Sequence, residues 1–188
     1  MSLPDSPRKI PSLIRLLLAL SLAGLAAGCF EPLYGNRSVV GGSGVGEKLS
    51  TVDVAEIEAP NGSRLARIGV GLRNDLIFAF NGGGSVSPPA YRLVIRMAAT
   101  QQQVIVDINS ARTEIQNYAI DAFYNLHETA TGRLVVQASA IARVSFNIPG
   151  QEQRFAGDRG LRDAEDRAAK VIADSIRSRL TSYFAAGT

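Results

Sequence analysis

The chain has no tryptophan, one histidine (His127) and one cysteine (Cys29). A single cysteine cannot close an internal disulfide, so the fold must rest on its core even in an oxidising compartment. One histidine and one cysteine leave little material for a transition-metal site, and His127-Glu128 lacks the second histidine of His-Glu-x-x-His. No metal and no cofactor are expected. The longest apolar stretch, Leu16 to Ala27, falls short of the roughly 20 residues a spanning helix requires. A nucleophile with its base, or a pair of catalytic carboxylates, also leaves no trace, and the reading is of a protein that is not an enzyme.

What is present begins with that apolar stretch. It follows Arg8, Lys9 and Arg15 and runs into Leu25-Ala26-Ala27-Gly28-Cys29. A positive n-region, an apolar h-region of about 7–15 residues and small residues before a cut site describe a secretory leader. With the cysteine at the cut it resembles the lipobox of bacterial lipoproteins, although Ala26 stands three residues before the cysteine and Leu25 four. The resemblance implies removal of residues 1–28, acylation of Cys29 and stable lipid anchoring, since each buried methylene contributes about 0.8 kcal/mol. Phe30 rather than aspartate follows the cysteine, which favours the outer membrane. Three of the 20 basic residues and one of the 17 acids (Asp5) leave with the leader; 17 basic against 16 acidic remain. That near-neutral balance argues against nucleic acid as a partner.

Residues 29–49, with Pro32 and Gly41-Gly42-Ser43-Gly44-Val45-Gly46, read as a flexible tether. No strand precedes these glycines and Glu47 follows them, so they do not form a phosphate-binding loop. Residues 50–188 read as one domain. A first strand is expected over 50–58, ended by Pro60-Asn61-Gly62. Ser63 then caps a helix whose Leu65, Ile68, Leu72, Leu76, Ala79 and Phe80 form one stripe. Gly69 and Gly71 weaken that helix unless they allow close packing. From Tyr91 the period becomes two: Tyr91, Leu93, Ile95 and Met97 face one way, Arg92, Val94 and Arg96 the other. Strands over 115–128 and 133–148 follow, joined at Thr129-Ala130-Thr131-Gly132. A final helix spans about Asp163 to Tyr183, with Ala164, Ala168, Val171, Ile172, Ser175 and Leu180 inward and Asp158, Asp163, Glu165 and Asp166 at its start. The expected fold is α+β, a two-layer β-α-β-β-β-α sandwich. Two helices lie on one face of a four-stranded, mostly antiparallel sheet whose strand order is open.

Arg92 and Arg96 share a strand face about 13 Å apart, and Arg143, Arg112 and Arg133 can join them. Guanidinium groups bind phosphate bidentately, making Arg92, Arg96 and Arg143 candidate contacts for an anionic lipid headgroup. The other reading is a solvated sheet face.

The segment Gly28-Cys29-Phe30-Glu31-Pro32-Leu33-Tyr34-Gly35 resembles the mature start of the lipopolysaccharide-assembly lipoproteins of the LptE family. The resemblance extends to the order of elements and the mature length; the glycine that usually follows the cysteine is missing. It implies a lipid-anchored outer-membrane protein facing the periplasm and a barrel lumen. Such a protein plugs and helps assemble an LptD-type β-barrel and takes part in inserting lipopolysaccharide into the outer leaflet. The alternative is a lipoprotein accessory of an ABC-type phospholipid transport system.

Overall fold

The computed structural model describes residues 44–84, 88–107, 112–147 and 154–187. Cys29, the leader, the Pro-Leu-Tyr-Gly segment and most of the tether lie outside these residues. The elements are α1 (Val45–Ser50), β1 (Val52–Val54), α2 (Arg64–Asn81), β2 (Tyr91–Asp107), β3 (Arg112–Glu128), β4 (Leu134–Asn147) and α3 (Arg154–Ala185). The sheet runs β1-β2-β3-β4, with β1 parallel to β2 and the other pairs antiparallel. A parallel pair needs a crossover, which α2 supplies. The expected α+β sandwich is present, and the strand order is now fixed.

The first strand is shorter than expected. The end of the expected tether folds into α1, whose Leu49 is buried, and Ser50 and Thr51 hydroxyls donate back to the carbonyls of Glu47 and Lys48 at 2.7 Å. Only Val52–Val54 pair with β2, and Arg73 Nε donates to the Val54 carbonyl at 2.9 Å, occupying an acceptor at the end of the strand. Ile57 then turns inward beneath α2.

Ser63 caps α2 by accepting from Ala66 N–H at 3.1 Å, and Gly82 closes it at φ 68°, a left-handed position that glycine adopts without penalty. Ile68, Leu72, Leu76 and Phe80 form its buried stripe. The two helical glycines differ. A Cβ on Gly69 would stand 3.3 Å from Ile57 Cβ and Cγ2 and 3.5 Å from Met97 Cε, whereas one on Gly71 would meet nothing within 4 Å. Gly71→Ala is therefore expected to stabilise the fold by about 0.5–1 kcal/mol, and Gly69→Val to destabilise it by about 1–3 kcal/mol. Denaturant midpoints of the two variants moving in the same direction would contradict this packing.

The β2–β3 register sets Leu93 opposite Leu126 and Ile95 opposite Tyr124, and β3–β4 sets Ala122 opposite Ala140 and Ile120 opposite Ala142. These residues are buried beneath the helices. Gly132 at φ 70° closes the β3–β4 turn, its N–H donating to the Glu128 carbonyl at 2.8 Å.

The last helix differs most from expectation. It begins at Arg154, about two turns before Asp163, and its 32 residues span about 48 Å. Gly160 lets it pass the end of β4, where a Cβ would stand 3.4 Å from the Asn147 carbonyl oxygen. The acids expected at its start are not there: Asp158, Asp163, Glu165 and Asp166 all lie inside the helix, with no acid in its first turn. The inner stripe is also rotated. Ala164, Ala168, Ile172 and Leu180 are buried as expected, but Val171 is 49% exposed and Ser175 is exposed. Glu165, Ala169, Ala173 and Ile176 point inward instead.

Candidate functional site

The register places Arg92, Arg96 and Arg143 on the face opposite the helices, because each alternates with a buried neighbour: Leu93, Ile95 or Ala142. All three are exposed, and among the described residues none forms an ion pair. Arg92 lies opposite His127 and beside Asp53; Arg96 lies opposite Phe123, which is 63% exposed. Arg143 lies across β3 from Thr100, opposite Ala119, about 16 Å from Arg96 by strand spacing and rise. Arg96 and Arg143 are thus separated by four residues along the strands and by the width of β3. Arg133 is drawn to Glu128 in the turn at 3.8 Å, and Arg112 begins β3 at the opposite end. The sheet face can meet an extended surface carrying several anionic groups.

The structure also forms a second charged site, at the start of α2 where it crosses the first half of α3. Residues at i and i+3 share a helix face, so Arg64 and Arg67 both turn toward α3. There they meet Glu165, whose side chain is only 1% exposed. Arg67 donates through Nη2 to Glu165 Oε2 and through Nη1 to Asp166 Oδ1, the latter at 2.8 Å. Hydrogen bonding to Asp166, and then to Glu165, raises the Arg67 pKa against the cost of burial. Glu165 Oε1 has no hydrogen bond and stands 3.8 Å from Arg64 Nη1. Beneath, burial raises the Tyr118 phenol pKa, with the Glu165 charge adding to the effect.

This cluster borders a cleft of about 1100 Å³ lined also by Phe155, Val70, Arg159 and Arg162. Sequence reasoning missed it because Arg64 and Arg67 fall off the apolar stripe of α2 and Glu165 reads as a helix-start acid. The available signal was position: Glu165 follows Ala164 and precedes Ala168 by three, which places it at the margin of the inward stripe. Among the described residues no group of three metal-ligating side chains forms, and no helix is long and apolar enough to cross a membrane.

A lipoprotein structure from Caulobacter crescentus CB15 is similar at 20% identity with a TM-score of 0.59, covering 77% of this chain and 97% of that one. A minor lipoprotein from Acinetobacter baumannii aligns at 14% identity and a TM-score of 0.44 over 70% of this chain and 95% of its own. Rare lipoprotein B from Shewanella oneidensis aligns at 11% and 0.43 over 68% and 92%. At these identities the Caulobacter likeness speaks for the fold alone. Comparison with curated proteins gives no match. The profile of the lipopolysaccharide-assembly family LptE, in contrast, matches residues 49–180, from the end of α1 almost to the end of α3. Together with an α+β sandwich whose every strand lies within that span, the match makes this chain a member of the LptE lipopolysaccharide-assembly family.

Proposed function

We propose that this chain is an outer-membrane lipoprotein, anchored through acylated Cys29, that plugs and helps assemble an LptD-type β-barrel and assists insertion of lipopolysaccharide into the outer leaflet. It performs no covalent chemistry and needs no cofactor. The observation that carries this reading is the family match across residues 49–180. The charge pattern supports it: barrel lumens are polar, and the sheet face mixes Arg92, Arg96 and Arg143 with Asp53 and Asp121. Depletion of the protein tests the role. Newly made lipopolysaccharide should fail to reach the cell surface and the barrel should be lost with it. Normal lipopolysaccharide export with disturbed phospholipid distribution would overturn the reading in favour of the phospholipid-transport alternative.

On the sheet face, Arg92, Arg96 and Arg143 are the proposed contacts for lipopolysaccharide phosphates. Arg92→Glu/Arg96→Glu in the full chain should weaken lipopolysaccharide binding by roughly tenfold, about 1.4 kcal/mol. Unchanged binding would remove the sheet face from the account.

A further inference from the structure

We propose that the cleft between the start of α2 and the first half of α3 is a second binding site, for an anionic lipid headgroup that also carries hydroxyl or amine donors. The identity of the lipid as lipopolysaccharide rests on the function proposed above; the site itself rests on three observations.

The first is charge. Arg64, Arg67, Arg159 and Arg162 line the cleft against two carboxylates, Asp158 and Glu165. Arg67 is committed to Glu165 and Asp166, but Arg159 and Arg162 are exposed and, among the described residues, form no ion pair. Gly62 and Ser63 bring the N-terminal end of the 18-residue helix α2 to the same wall, adding its positive dipole end to the guanidinium groups.

The second is an unmet acceptor. Glu165 Oε1 is buried without a hydrogen bond and belongs to a residue that lines the cleft. A buried carboxylate oxygen is normally satisfied, so an occupant that moves the exposed Arg64 aside, 3.8 Å from this oxygen, and donates a hydroxyl or ammonium hydrogen in its place removes a standing cost. A phosphodiester group, with no proton to give, cannot do this; a hydroxylated or amine-bearing headgroup can.

The third is the rim. Phe155 is 86% exposed and Val70 62% exposed, and both line the cleft. Both share the cleft wall with the arginines, which makes that wall amphipathic. They offer an apolar shelf for the first part of an acyl chain while the arginines hold the head. Two helices wall the cleft, so it presents no free strand edge to pair with an extended peptide.

The absence of tryptophan supplies the test. Phe155→Trp in the full chain is a single fluorescent reporter on the rim. The partners are purified lipopolysaccharide, phosphatidylglycerol vesicles, phosphatidylcholine vesicles and inorganic phosphate, with lipid binding followed in parallel by sedimentation. Lipopolysaccharide should shift the emission to the blue, phosphatidylcholine and phosphate should not. Adding Arg159→Glu/Arg162→Glu should raise the half-saturating concentration roughly tenfold or more, whereas Lys170→Glu, at an exposed cation of α3 outside the cleft, should leave it unchanged. A shift with phosphatidylglycerol alone would support the anionic-lipid site and overturn lipopolysaccharide as its ligand. Lipopolysaccharide that sediments with the protein while the emission stays fixed would overturn the cleft and leave the family role standing. A shift produced by none of these but by purified barrel, added as a fifth partner, would overturn the cleft as a lipid site in favour of a protein contact. Binding of no lipid would overturn both.

Discussion

Arg67→Ala is expected to destabilise the fold by about 3 kcal/mol, the lower end of the cost of breaking a buried ion pair by removing one partner, because Glu165 is buried while Arg67 is half-exposed. The loss lies less in the attraction than in what remains. Glu165 is buried, one of its oxygens is already without a hydrogen bond, and Arg67 satisfies the other. Arg64, 3.8 Å away and largely exposed, can swing inward and recover part of the loss, which keeps the expectation at the lower end. For a domain of this size the melting temperature should fall by about 10 °C. Removing both charges is expected to cost less than removing Arg67 alone: Arg67→Met/Glu165→Leu leaves no buried carboxylate to satisfy. A thermal melt of Arg67→Ala unchanged from wild type would contradict this, as would a double variant less stable than the single one.

Ala168→Leu should cost about 2–3 kcal/mol by overpacking. Ala168 is fully buried on α3, and the sheet beneath it presents further small residues, Ala122, Ala140 and Ala142, across β3 and β4. Close approach of a helix to a sheet over alanines leaves no room for three additional carbon atoms. Val171, three residues on and half exposed, provides the contrast: Val171→Leu should change stability by less than about 0.5 kcal/mol. Equal denaturant midpoints for the two variants would show that α3 does not lie as close to the sheet as its alanines require.

The sheet was legible in the sequence because one buried face writes itself as a period of two: Leu93 and Ile95, then Tyr118 through Leu126, then the small residues of β4. The stripe of α2 was legible for the same reason at a period of 3.6. The start of α3 was not. Gly157 and Gly160 argue locally against a helix, and the close passage of Gly160 by the Asn147 carbonyl depends on a residue thirteen positions away. The shift of helix start then misplaced the acids, so the burial of Glu165 was hidden. Its partners Arg64 and Arg67 lie about 100 positions earlier, 98 in the case of the Arg67–Glu165 hydrogen bond, which leaves no local pattern. The sheet-face arginines were placed correctly by alternation, but the distance from Arg96 to Arg143 needed the register. The α1 helix was hidden by its own composition, since Gly44 and Gly46 read as tether while the burial of Leu49 depends on tertiary contacts.

In the proposed role, this member of the LptE family serves as the lipid-anchored partner of an outer-membrane barrel. The most direct test of that role is mild-detergent extraction of the tagged full chain from outer membranes, followed by mass spectrometry of what co-purifies. One large β-barrel recovered in about equal amount with the chain is the result this account predicts. Recovery of phospholipid-transporter subunits, or of the chain with no barrel at all, would contradict it.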